Sequence, residues 1–139
     1  MKKYLLFTLF LFIFNSCKEK ISDTDIKKIN GYWEIEKVEF SDGTEKEYKV
    51  NETIDFFEIK DKIGLRKKVL PQFNGKYLVN DTSEAIKIIS IDSEFFLEYK
   101  TQYTSWKEEI IELDNEKLVL KNDSSVTYHY KKSIPFSVK

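Results

Sequence analysis

From Gly31 onward the chain is cut into short runs of alternating apolar and polar residues, and every break between them is only a few residues long. The breaks are Ser41-Asp42-Gly43, Asp61-Lys62, Pro71-Gln72-Phe73-Asn74-Gly75, Asn80-Asp81-Thr82-Ser83, Asp92-Ser93, Asp114-Asn115 and Asn122-Asp123-Ser124. Period-two alternation bounded by turn residues marks β-strands with one buried face. Ser-Asp-Gly and Asn-Gly accept the positive φ that tight hairpins need. Strands are expected near 32–40, 45–51, 53–60, 63–70, 75–80, 85–91, 94–101, 104–113, 117–121 and 125–132. Links this short leave no room for a parallel crossover, so sequential strands pair antiparallel. A long twisted meander removes its exposed edges by closing on itself. The expected fold is therefore all-β, an antiparallel up-and-down β-barrel of about 8–10 strands. A β-sandwich is the alternative, and its Greek-key crossings want longer links.

One short helix is expected before the strands, over residues 23–30. Ser22 stands at a capping position, Asp25 follows three residues on, Ile21 and Ile26 occupy staple positions, and Asn30-Gly31 ends the segment. Alternation then assigns faces. Phe95, Leu97 and Tyr99 share one face, as do Val126, Tyr128 and Tyr130, with His129 and Lys131 opposite. Trp33 and Ile35 agree in phase but Val38 and Phe40 do not, which predicts a β-bulge near Glu36-Lys37. Ile63, Leu65, Lys67 and Val69 share a phase, which points Lys67 inward and Arg66 outward. Trp106 is in phase with Ile110 and out of phase with Leu113, so its side is left open.

The first residues carry a different message. Met1-Lys2-Lys3 is a basic start, Tyr4 to Phe14 is an apolar run too short to span a bilayer, and Phe14-Asn15-Ser16-Cys17 leads directly into Lys18-Glu19-Lys20. This resembles a bacterial lipoprotein signal with a relaxed lipobox. The resemblance implies residues 1–16 as a signal peptide, lipid attachment at Cys17, a tether over 17–21 and a barrel domain over 22–139. It also implies an outer-membrane lipoprotein in the cell envelope of a Gram-negative bacterium, facing the periplasm or the cell surface, with the membrane as a partner through lipidated Cys17. Two or three acyl chains suffice for stable anchoring. Without Lys2 and Lys3 the net charge moves from −1 to −3, which excludes the basic footprint of a nucleic-acid binder. Cys17 is the sole cysteine, so no disulfide staples the fold.

A second resemblance rests on Gly31-Tyr32-Trp33, set just after the short helix and opening the first strand, and on the closing segment "EIIELDNEKLVLKNDSSVTYHYKK". These resemble the G-x-W signature and closing hairpins of lipocalin-like domains of Bacteroidetes lipoproteins, over roughly residues 22–132. The resemblance implies that Trp33 packs across the closed barrel end beneath a basic side chain from the last strand, Lys131 or its neighbour Lys132. It implies a small apolar or amphipathic ligand in the barrel and a monomeric chain.

No catalytic constellation, cofactor motif or metal-ligand spacing appears. His129 is the single histidine and is expected on an outer face, and Glu108, Glu109 and Glu112 are read as a solvated strand face rather than a calcium cage. A non-enzymatic binder is expected. Lys67, Tyr99, Trp106 and Tyr128 are the ligand-binding candidates, with Lys67 placed to hold a carboxylate headgroup. An envelope protein–protein module with a solid barrel and an exposed loop around Phe73 is the rival reading. A hydrolase would need a close carboxylate pair, for which Glu58, Glu98 and Glu109 are the residues to check.

Overall fold

A computed structural model describes residues 19–135. Cys17 and the signal-like segment lie outside the described residues. Ten antiparallel strands follow one another: β1 (Gly31–Glu39), β2 (Glu45–Glu47), β3 (Ile54–Lys60), β4 (Ile63–Pro71), β5 (Tyr77–Val79), β6 (Glu84–Ile91), β7 (Glu94–Lys100), β8 (Ser105–Leu113), β9 (Lys117–Asn122) and β10 (Thr127–Lys132). Neighbours run β1-β3-β4-β6-β7-β8-β9-β10, and β10 pairs back onto β1 from Trp33↔Lys132 to Glu39↔Thr127. This closes a barrel of eight strands, with β2 and β5 as short strands attached to β1 and β4.

The turns at the two ends differ. At one end Asp61-Lys62 and Asp92-Ser93 take positive φ at both positions, giving tight two-residue hairpins. The expected two-turn helix is a single 3₁₀ turn, Ile26–Ile29, at this same end. It is shorter than expected because Asn30 is already extended and Gly31 starts β1 at φ +112°. Asp25 still reaches back to Ser22, accepting from its N–H at 2.9 Å and its hydroxyl at 2.6 Å. Asn30 does more than end the turn. Its side chain donates to Ile59 O at 3.0 Å and accepts from Ile59 N at 2.6 Å, fixing the turn to β3.

The bulge expected near Glu36-Lys37 is present: the β1–β10 register shifts between Ile35 and Lys37. A second shift falls between Ile110 and Glu112, and it reconciles Trp106 with Leu113. With both bulges counted, Trp33, Phe57, Ile59, Ile86, Ile88, Phe95, Leu97, Ile110, Leu113, Leu118, Leu120 and Tyr130 join Ile26 and Ile29 in one core. Gly64 sits where β3 and β4 approach most tightly: a Cβ there would lie 1.9 Å from Glu58 O. Gly64→Ala is expected to cost about 1–3 kcal/mol, as overpacking does. Urea denaturation checks this, and an unchanged midpoint would contradict the close approach.

Candidate functional site

Cross-strand partners in a sheet point to the same face. Phe57 is buried in the core and pairs with Arg66, so Arg66 points inward. Two residues on, Asp55 and Lys68 share that inward face, while the Phe56–Lys67 and Ile54–Val69 pairs face outward. This reverses the expectation for Lys67 and Arg66. Lys67 is half-exposed on the outer wall and holds nothing in the barrel, whereas Arg66 is buried. The apolar phase of β4 misleads because it packs outside the barrel. Ile54 and Val69 are buried yet do not belong to the main core. Beside them Tyr32 stacks on Tyr77 with centroids 3.8 Å apart and contacts Phe56 at 4.7 Å, so the β4–β5 hairpin folds back over the outer wall.

At the closed end Trp33 is fully buried and donates from Nε1 to Ile29 O at 2.7 Å. The basic side chain over it is Lys132, with Nζ 4.2 Å from the ring centroid. Lys131 alternates to the outer face, where its nearest acid is Glu36 at 3.9 Å. Lys132 Nζ also donates to Asn30 O at 2.5 Å and Lys28 O at 3.3 Å, and burial holds its pKa below the usual lysine range. A Cβ on residue 31 would meet Lys132 Nζ at 3.1 Å, so the glycine is required both by φ and by this ammonium.

The other half of the interior, toward the 101–104 and 122–125 turns, is polar. Arg66 forms an ion pair with Glu84, and its guanidinium lies 4.4 Å over the Tyr99 ring. Tyr99 is fully buried and stacks on Trp106, with centroids 5.0 Å apart and planes 11° from parallel. Asp55, also buried, meets Lys68 Nζ at 2.5 Å. Glu108 points inward with Trp106 and Ile110 and is buried, correcting the expectation of a solvated face, while the bulge turns Glu112 to the other side. Its carboxylate lies against the Tyr99 hydroxyl, yet neither that hydroxyl nor Glu108 Oε2 has a well-aligned hydrogen-bond partner among the described residues. Tyr128 is half-buried, and its hydroxyl accepts from Asn122 Nδ2 at 3.3 Å.

Three of the four ligand-binding candidates thus meet at one end of the barrel: Tyr99, Trp106 and Tyr128. Lys67 does not join them. Arg66, Asp55, Glu84 and Glu108 take its place. A cleft of about 570 Å³ runs over the outer side of β6, β7 and β8 beside Tyr99 and Trp106. The outward-facing Ile63, Lys87, Glu98, Lys100 and Lys107 are in its wall, so it lies outside the barrel, and Arg66, Glu108 and Tyr128 do not line it. Glu58 and Glu98 are exposed and Glu109 faces away from the interior, so the carboxylates named for a hydrolytic pair do not converge there. His129 lies on the outer face, 3.2 Å from Glu39.

Burial raises the Glu108 carboxyl above its usual range, with the Tyr99 hydroxyl and Arg66 opposing only part of the shift. The folded state therefore holds that proton more tightly than the unfolded chain. The stability it contributes is full in acid and is lost as pH rises through the raised pKa. Glu108→Gln should flatten this slope and gain stability relative to the parent at neutral pH but not in acid. Urea midpoints compared across that range check it, and identical pH profiles would refute the assignment.

Among solved structures the chain is similar to a lipocalin-like protein from Bacteroides uniformis, at 12% sequence identity and a TM-score of 0.49, covering 76% of this chain and 99% of that one. No family model matches the chain, and no curated protein matches it. The assignment of an eight-stranded closed barrel rests on the strand pairing itself.

Proposed function

We propose that this chain is an exported, lipid-anchored barrel protein that binds a small amphipathic molecule at the open end of the barrel and performs no catalysis. The observation that carries the reading is the polar group of buried Arg66, Tyr99 and Glu108 with half-buried Glu84, beside the half-buried aromatic rings of Trp106 and Tyr128. Polar side chains inside an otherwise apolar barrel are costly unless they are hydrogen-bonded or paired, which a bound ligand can supply. Convergent polar groups with aromatic walls are what orient a ligand. The lower half of the barrel is filled by Trp33, Phe57, Leu97, Leu118 and Leu120, all fully buried, so the ligand would sit at the mouth rather than deep inside. The export and anchoring part of the reading rests on the Phe14-Asn15-Ser16-Cys17 segment.

One experiment tests both halves. The full chain, expressed in a Gram-negative host, is weighed by mass spectrometry under denaturing and native conditions. The denatured mass should lack residues 1–16 and carry two or three acyl chains. The native mass should exceed it by one small molecule. A denatured mass equal to the unmodified chain would end the anchoring reading, and equal native and denatured masses from the natural host would end the cargo reading.

A second reading, a protein–protein module, is favoured by a separate feature. Val50, Phe73 and Ile134 are strongly exposed, and they line a cleft of about 650 Å³ together with Pro71 and Tyr77. Apolar exposure of this kind marks interaction surfaces. Binding of an envelope protein that is lost in Phe73→Ser, with no cargo in the native mass, would favour it over the first.

A further inference from the structure

The charges at the barrel mouth do not cancel. Three carboxylates, Asp55, Glu84 and Glu108, share the inward face with two cations, Arg66 and Lys68. Glu84 is held by Arg66, and Asp55 by Lys68. Arg66 is further engaged by the face of Tyr99. Glu108 is left without an ion-pair partner among the described residues, although it is 6% exposed. Arg66, Asp55, Glu84 and the Tyr99, Tyr128 and Tyr130 hydroxyls are the titratable groups that feel its charge. Its Oε2 is buried and has no well-aligned hydrogen-bond partner among the described residues, with the Tyr99 hydroxyl lying against the carboxylate.

The surroundings of Glu108 narrow what complements it. Trp106 lies two residues before it on the same strand face, stacked on Tyr99, and Tyr128 stands on β10 with its ring packed against the core. A desolvated carboxylate attracts a cation strongly, and the faces of tryptophan and tyrosine attract the same charge. Among the described residues no group of three or more histidine, cysteine, aspartate or glutamate side chains is placed to hold a metal ion. The aromatic faces of Trp106 and Tyr128 suit an organic ammonium. An anionic headgroup fits poorly: the arginine that would bind it is already paired, and it would face an uncompensated carboxylate.

We propose that the mouth takes the ammonium group of a small amphipathic molecule, with Glu108 as its counter-ion and Trp106 and Tyr128 as its aromatic walls. This rests on the cargo-binding reading above and reverses the headgroup charge that Lys67 suggested. The test titrates the full chain with n-hexylammonium, n-hexanoate and n-hexanol by calorimetry. Hexylammonium should bind about ten-fold more tightly than either partner, and Glu108→Gln should remove that preference. If Glu108→Gln fails to fold, Trp106→Leu carries the test and should weaken hexylammonium several-fold while leaving hexanol nearly unchanged. Hexanoate binding as tightly as hexylammonium would overturn the inference and leave the cargo reading standing. An ammonium preference that survives Glu108→Gln would overturn the assignment to Glu108. Silence from all three probes would overturn the inference and count against the cargo reading as well.

Discussion

Trp33→Ala should unfold the barrel at far lower urea than the parent chain, with a loss of about 3–5 kcal/mol. The indole is fully buried between the strands and the 3₁₀ turn. Removing it leaves a cavity that the closed end cannot collapse into, because Asn30 clamps the turn to Ile59. It also strips Ile29 O of its donor and Lys132 of the ring beneath its ammonium. Trp33→Phe separates these contributions. It keeps a ring face for Lys132 and loses the indole N–H bond and some volume, so a smaller loss of about 1–2 kcal/mol is expected. A double-mutant cycle with Lys132→Met should return a coupling of about 0.5–2 kcal/mol. Zero coupling would mean that the lysine merely passes over the ring. A near-neutral Trp33→Ala would mean that the end is plugged by other groups.

The closed end was readable because local signals agree there. Gly31 and Trp33 sit between a turn and a strand start, and the phase of Trp33, Ile35 and Val38 demands a bulge that the register contains. The choice between Lys131 and Lys132 is legible as well: alternation from Tyr128 and Tyr130 puts Lys132 on the inner face and Lys131 opposite, and the register pairs Lys132 with Trp33. The mouth was less readable for a physical reason. Inferring the inner face from apolar phase assumes a single core. β4 serves two: Arg66 and Gly64 face the barrel, while Val69 is buried on the outer side where β5 folds over it. The apolar residues of β4 therefore advertise the wrong face. Glu108 was legible in principle, because it shares phase with Trp106 and Ile110. A strand carrying Glu108, Glu109 and Glu112 reads as solvent-facing, and composition offers no way to see Tyr99 packed against Glu108. The lone arginine among 22 lysines marks Arg66 as unusual in composition, but rarity says nothing of which way its side chain faces.

Arg66→Ala should cost about 3–5 kcal/mol, the penalty of breaking a buried ion pair from one side. Arg66 is 9% exposed, and its removal leaves Glu84 unpaired, exposes one face of Tyr99 and takes away the nearest positive charge from Glu108. If the cost is electrostatic, replacing both partners should recover most of it. Arg66→Met combined with Glu84→Met removes the charge pair while keeping apolar volume, and such replacements are commonly neutral or stabilising. Arg66→Lys is the sharper comparison. An ammonium keeps the charge but lacks the planar fork that lies on Tyr99 while bonding Glu84. It should therefore recover only part of the loss, and Trp106 fluorescence should shift as its stacked partner loses support. A full rescue by lysine would reduce the site to a point charge. Full rescue by the double methionine, together with unchanged ligand binding, would make the arginine a removable structural pair. A double methionine that folds normally but loses its ligand would instead place Arg66 and Glu84 among the residues that hold the mouth in its binding geometry.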